Sequence, residues 1–169
     1  MTIAPRETGP LLRSSSALVL LSALLACSST PAVKLRVDST ANINDQRSVY
    51  LLVRTVQEAD YRMESYDEVA AKVVQPDDSI EHMAVALPGV SLTFTLKEPP
   101  PKKRVAIYAM FERPVCGGWR VLLPEKRSSD FQVRLYEGRL CLVGADGQCI
   151  TQGCGGTEVA STGAETAPQ

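Results

Sequence analysis

The sequence predicts a mainly β protein, a two-sheet β-sandwich with a short inserted helix. Two patterns carry that prediction. Apolar residues recur at every second position in run after run, the signature of half-buried strands. Turn residues (Asn, Asp, Gly, Pro) separate about eight such runs at the spacing of a sandwich. A third observation limits where the sandwich begins, because the first 32 residues show no such alternation.

The first run is Val33, Leu35 and Val37, alternating with Lys34 and Arg36. A polar stretch from Asp38 to Ser48, rich in Asn, Asp and Ser, reads as a loop. Val49 to Val56 follows, and its Tyr50-Leu51-Leu52-Val53 is apolar on both faces, as a central strand requires. The period then changes. Ser65 and Glu68 make the S-x-x-E capping box that satisfies orphan N–H groups at a helix start. Tyr66, Val69, Ala70 and Val73 fall at i, i+3, i+4 and i+7 on one face, and Pro76 stops the run, so the spacing predicts a helix over Tyr66–Val74. Such a helix cannot bury its own stripe and must lie on the sheet or cover its edge.

Alternation resumes over Met83 to Leu87 and breaks at Pro88-Gly89, a turn dipeptide. Leu92, Phe94 and Leu96 form a one-faced strand that ends at Pro99-Pro100-Pro101. Val105 to Phe111 is apolar on both faces. A connection containing Pro114 and Cys116-Gly117-Gly118 leads to Trp119 to Leu123. Phe131 to Tyr136 and Arg139 to Val143 flank Glu137-Gly138, a tight hairpin signal. Residues 33–143 are therefore expected to form the sandwich. Residues 144–169, rich in Gly, Thr and Ala without apolar periodicity, are expected to be a mostly disordered tail.

Ahead of the sandwich, Arg6, Arg13 and three serines precede an apolar run from Ala17 that closes with Leu24-Leu25-Ala26-Cys27. This has the basic, apolar and small-residue regions of a secretory signal. It is too short to span a bilayer, which takes roughly 20 apolar residues. The tetrapeptide resembles the bacterial lipobox, in which the cysteine is lipidated and the chain cut before it. Residues 1–26 are thus expected to be a lipoprotein signal peptide, Cys27 the lipidation site and residues 27–32 a flexible tether. Ser28 stands where an inner-membrane retention signal would place Asp, which points to the periplasmic face of the outer membrane.

The chain carries 18 Lys and Arg against 19 Asp and Glu, a formal charge of −1. That balance argues against nucleic-acid binding, which needs a basic stripe. Lys102-Lys103-Arg104 is read as a solvated loop. With Cys27 committed to lipid, Cys116, Cys141, Cys149 and Cys154 are disulfide candidates in an oxidising envelope, and four cysteines allow three pairings. Cys116–Cys141 with Cys149–Cys154 is favoured, because the last two share a Gly-rich stretch. A four-thiolate zinc site lacks its C-x₂-C spacing, so no metal and no cofactor is expected.

Nothing marks a catalytic centre. His82 is the single histidine, and no nucleophile is recognisable beside it. Asp77-Asp78 with Glu81 lacks the spacing and glycine of a calcium loop. Gly153-Cys154-Gly155-Gly156 follows no strand and opens no helix, unlike a phosphate loop. Trp119 and the tyrosines read as core or sheet-face residues. The chain is expected to be a binding or structural module, not an enzyme.

The order of elements now carries a resemblance. A lipobox, a first strand, the Asn-containing Ala41-Asn42-Ile43-Asn44-Asp45-Gln46-Arg47-Ser48, the Val49 strand and a short aromatic-rich helix come first. Leu87-Pro88-Gly89 before Leu92-Thr93-Phe94, and Val105 to Phe111 running to Trp119-Arg120, complete it. Together these resemble the outer-membrane lipoprotein of the type VI secretion system, the TssJ family. The resemblance implies a transthyretin-like sandwich and a non-enzymatic role. It implies a protein that anchors the trans-envelope complex by binding the periplasmic region of the inner-membrane subunit TssM. It also places the partner contact in the first loop, at Asn42, Ile43, Asn44, Asp45, Gln46 and Arg47. The Pro and Gly often found after the family's loop Asn are missing here, and the four downstream cysteines and Gly-rich tail are additions to its pattern. The alternative is a generic envelope lipoprotein whose sandwich binds a small ligand or glycan in an aromatic-lined groove.

Overall fold

The computed structural model describes residues 32–125 and 130–150. The signal, Cys27 and Cys154 lie outside these residues, as does most of the expected tail. The elements run β1 (Val33–Ser39), β2 (Val49–Val56), α1 (Glu58–Met63), α2 (Tyr66–Val74), β3 (Ile80–Ala86), β4 (Ser91–Leu96) and β5 (Arg104–Met110). They continue through β6 (Arg120–Leu122), β7 (Phe131–Tyr136), β8 (Arg139–Val143) and β9 (Cys149–Ile150).

The strands form two sheets, ordered β4-β1-β7-β8-β9 and β3-β2-β5-β6. Neighbours are antiparallel except β1 and β7, which run parallel with Leu35 beside Phe131 and Ser39 beside Leu135. The expected β-sandwich is the fold observed. Period two decides what each face meets. Leu35 and Val37 of β1, Val133 and Leu135 of β7, and Leu140 of β8 are fully buried. They meet Leu51 and Val53 of β2 and Ile107 and Ala109 of β5 across the sandwich, and all join one hydrophobic cluster. Leu52, Arg54 and Val56 of β2 and Ala106 and Tyr108 of β5, on the alternate face, are buried too, because the helices cover them, while Tyr50 at the start of β2 is exposed. This is why both strands read as apolar on both sides.

The helix predicted over Tyr66–Val74 is α2. Its Ser65 hydroxyl accepts from the Glu68 N–H, and the Glu68 carboxylate accepts from the Ser65 N–H at 2.7 Å, completing the capping box. A second helix, α1, precedes it without a side-chain N-cap. Its support is tertiary. Arg104 donates to Glu58 at 2.8 Å, and Arg120 donates to the Tyr61 carbonyl and, at 2.8 Å, to that of Glu64. These carbonyls lie at the helix C-terminus, where no intrahelical partner exists. The Arg120 guanidinium also sits 4.7 Å from the Tyr61 ring centroid and 4.8 Å from that of Trp119. Burial drives the Tyr61 hydroxyl up to about 12, so it stays neutral. Arg54, 3 % exposed, donates to Ser79 at 2.9 Å and to Glu64 at 2.8 Å, and the Tyr108 hydroxyl donates to the same carboxylate at 2.7 Å.

The turn after α2 uses Asp77 as its centre. Lys72 donates to one carboxylate oxygen, and the Ser79 N–H donates to the other at 3.0 Å. The bond from Lys72, then that from Ser79, holds this carboxyl below the ordinary carboxylate range. A depressed folded value means the stabilisation is present above the unfolded value, about 3.9, and is lost as pH falls through the folded one. The destabilisation caused by Asp77→Asn, measured by urea unfolding, is therefore expected to shrink as pH drops below about 4. A mutational effect constant from pH 7 to pH 3 would refute this.

The expected cysteine pairing needs correction. Cys141 is joined to Cys149, with Cα atoms 5.5 Å apart, while Cys116 is exposed and takes no part in that bond. The reason lies in the β8–β9 register. Val143 faces Cys149 and Leu142 faces Ile150, so Cys141 and Cys149 are diagonal neighbours on one face. This short β9 also extends the sheet into the stretch expected to be tail. In the chain-entropy view, closing a loop of eight residues is worth about 2–3 kcal/mol. Cys141→Ser with Cys149→Ser is expected to lower stability by that amount in chemical unfolding. Recovery of a disulfide-linked peptide joining Cys116 to Cys141 from the native protein would contradict the assignment.

Candidate functional site: the loop end of the sandwich

Strand directions gather four connections at one end. β1 ends where β2 begins, β7 runs parallel to β1, and the pairs Tyr50–Met110 and Val49–Ala86 bring the ends of β5 and β3 beside the start of β2. The β1–β2, β3–β4, β5–β6 and β7–β8 connections therefore share this end, and the chain enters the sandwich at the opposite end, at Val33. The Gly89 N–H donating to the Thr40 carbonyl at 3.2 Å ties two of these connections directly.

The six residues that the resemblance singles out lie here and divide into two groups. Ile43 is fully buried in the sandwich cluster, and Asn44 is 7 % exposed. Those two side chains anchor the loop, Ile43 wholly buried and Asn44 nearly so. Asn42, Asp45, Gln46 and Arg47 are exposed. Asn42 accepts from the Thr40 hydroxyl at 2.8 Å.

The backbone of this loop is unusual. Asn44, Asp45 and Gln46 all have positive φ, at 44°, 56° and 63°. A left-handed residue costs about 1–2 kcal/mol for an ordinary L-side chain, less for Asn or Asp. Three in succession persist only if the surroundings hold them. The hold is visible. Asn44 Nδ2 donates to the Ser48 carbonyl at 3.2 Å, and its Oδ1 accepts from the Glu112 N–H at 2.8 Å. The Arg47 N–H closes the turn onto the Asn44 carbonyl at 3.2 Å. Arg47 Nη1 also donates to both carboxylate oxygens of Glu112, at 2.7 and 2.6 Å. Glu112 thus grips the loop through its backbone and its side chain. Sequence reasoning missed Glu112, because a contact across 65 to 68 positions leaves no local signal.

Beside the loop opens a cleft of about 570 Å³. Asn42, Asn44 and Asp45 form one wall, Arg113 and Val115 the second, and Tyr136, Glu137, Gly138 and Arg139 the third. The β5–β6 connection and the β7–β8 hairpin press closely together. The Val115 N–H donates to the Gly138 carbonyl at 2.8 Å, and Gly138 has φ of +67°. A Cβ there would come within 2.6 Å of the Arg113 carbonyl, so only glycine fits. The cleft carries two guanidinium and two carboxylate groups. Its one aromatic ring, Tyr136, lies 5.9 Å from the Arg139 guanidinium.

The other residues weighed in the sequence do not gather here. His82 lies on β3 and reaches β4, with Nε2 3.0 Å from the Thr95 carbonyl and its ring against Phe94. Asp77 serves its own turn, and Glu81 accepts from the Thr55 hydroxyl. Among the described residues, no group of three or more His, Cys, Asp or Glu side chains is placed to hold a metal ion.

Comparison with solved structures gives the same fold. A chain in the structure described as the T6SS protein TssM C-terminal domain from EAEC superposes with a TM-score of 0.54 at 17 % identity, covering 67 % of this chain and 98 % of that one. A chain of a type VI membrane complex gives the same values. Lip of Serratia marcescens, described as a membrane-bound component of the type VI secretion system, gives 0.51 at 14 % identity, covering 67 % and 97 %. No curated protein matches the sequence. The family model of the IglE N-terminal domain matches residues 50–135, from β2 to β7. That span leaves out the β1–β2 loop and includes Glu112 and Arg113. On this match the chain belongs to the IglE N-terminal domain family.

Proposed function

We propose that this protein is an outer-membrane lipoprotein of a type VI secretion trans-envelope complex. In this reading Cys27 carries the lipid, and the 40–48 loop holds the periplasmic region of the inner-membrane subunit TssM. The observation that carries the reading is the polarity of β1. The chain enters the sandwich at Val33, and the loop leaves β1 at its other end, after Ser39. Seven residues at about 3.3 Å each separate the two by roughly 20 Å. A lipid on the tether before Val33 would leave the loop facing away from the membrane, toward the periplasm. The fold shared with Lip supports the same reading, as does the rigid seating of the loop, since recognition residues work best on a fixed scaffold. No catalytic group is required.

A glycan-binding lipoprotein would need a groove walled by aromatic rings, and the loop-end cleft offers Tyr136 alone, covered by Arg139. The test is direct. The domain from Ser28 onward, purified without lipid, is expected to form a stoichiometric complex with the periplasmic C-terminal region of TssM from the same cell. Absence of binding at micromolar concentrations would overturn the reading.

A further inference from the structure

The left-handed turn in the β1–β2 loop is held in place before any partner arrives, and one side chain does most of the holding. Right-handed conformations are the default for every residue in Asn44-Asp45-Gln46, and Gln46 has no special tolerance for the left-handed region. Yet all three adopt it. The Asn44 carboxamide uses both of its ends. Nδ2 spans the turn to the Ser48 carbonyl, and Oδ1 reaches across to the Glu112 N–H, two residues beyond the end of β5. The side chain is 7 % exposed, so water competes poorly for either bond. Ile43, fully buried just before it, fixes the depth of the loop. The outcome is that Asp45 stands exposed on the wall of the cleft, with Gln46 exposed next to it on the same turn.

We propose that Asn44 is a positioning residue for partner binding: its carboxamide presets the left-handed turn that displays Asp45 and Gln46. A loop already in its bound shape avoids the ordering cost of association. The inference rests on the tether reading for the identity of the partner.

Hydrogen exchange and binding kinetics on the same proteins test it. In Asn44→Ala, exchange at the N–H groups of Arg47 and Glu112 is expected to accelerate. Affinity for the periplasmic region of TssM is expected to fall roughly tenfold, the scale of one lost hydrogen bond. Asn44→Asp keeps an acceptor for the Glu112 N–H but sets a carboxylate oxygen against the Ser48 carbonyl, so exchange at Arg47 should accelerate more than exchange at Glu112, and affinity should fall. It also serves if the alanine variant folds poorly. The double substitution Asp45→Ala with Gln46→Ala should weaken binding while leaving exchange at Glu112 unchanged. Unaltered exchange in Asn44→Ala, or accelerated exchange with wild-type affinity, would overturn the positioning role. A wild-type domain that does not bind overturns the tether reading instead, and the exchange data then still decide whether Asn44 locks the loop.

Discussion

Glu64→Ala is expected to destabilise the domain by about 3 kcal/mol, the low end of the cost of breaking a buried ion pair. The low end applies because the Glu64 side chain keeps 14 % exposure, against 4 % for Arg54. The loss falls on two buried groups at once. Arg54 Nη1 loses its carboxylate, and the Tyr108 hydroxyl, on a residue with no exposure, loses its acceptor. Burial, followed by the hydrogen bond to Glu64, holds the Tyr108 phenol far above its usual range, so ionisation offers it no escape. Arg54 would keep Ser79 and the face of the Tyr108 ring, 5.2 Å away. Glu64→Gln retains acceptor capacity on one oxygen and should cost clearly less. Urea unfolding of both variants measures the difference. A loss under about 1 kcal/mol for Glu64→Ala would mean that the pair behaves as a surface contact and does not pin the helices to the sheet.

The network also explains what the sequence could not disclose. Eight strands were legible because each buries one or both faces and writes that burial as period two or as a continuous apolar run. The helix α2 was legible through Ser65, Glu68 and its i, i+3, i+4, i+7 stripe. The helix α1 was not, since it spans six residues without a side-chain cap and draws its support from Arg104 and Arg120, far along the chain. The strand β9 has two residues, and its partner is chosen by register and a disulfide, neither of which periodicity encodes. At the loop end, the residue types of 42–47 were readable, yet their burial was not. Ile43 is the one apolar residue of the run, but Asn44 looks no different in sequence from the exposed polar neighbours beside it. Their division into anchors and display residues follows from the position of Glu112, which only the β2–β5 pairing brings close.

Cys27→Ser is expected to move the protein from the membrane fraction to the soluble periplasm and to reduce secretion to the level of a strain lacking the protein. One acyl chain gives marginal, reversible binding, and stable attachment takes more than one signal. The several chains of a lipoprotein cysteine would supply them all at a single residue, so one substitution removes the entire attachment. The sandwich should not notice. Its first fully buried residue is Leu35, eight positions after Cys27, and unfolding of the soluble domain should change by less than about 0.5 kcal/mol. The soluble variant should also still bind the partner. Asp45→Ala with Gln46→Ala should give the reverse, a protein in the membrane fraction whose hold on the partner is weakened. Both strains should fail in secretion for complementary reasons, because a tether is useless when either end is free. Normal secretion by the soluble Cys27→Ser protein would sink the tether reading, since the loop would then be sufficient and the anchor irrelevant.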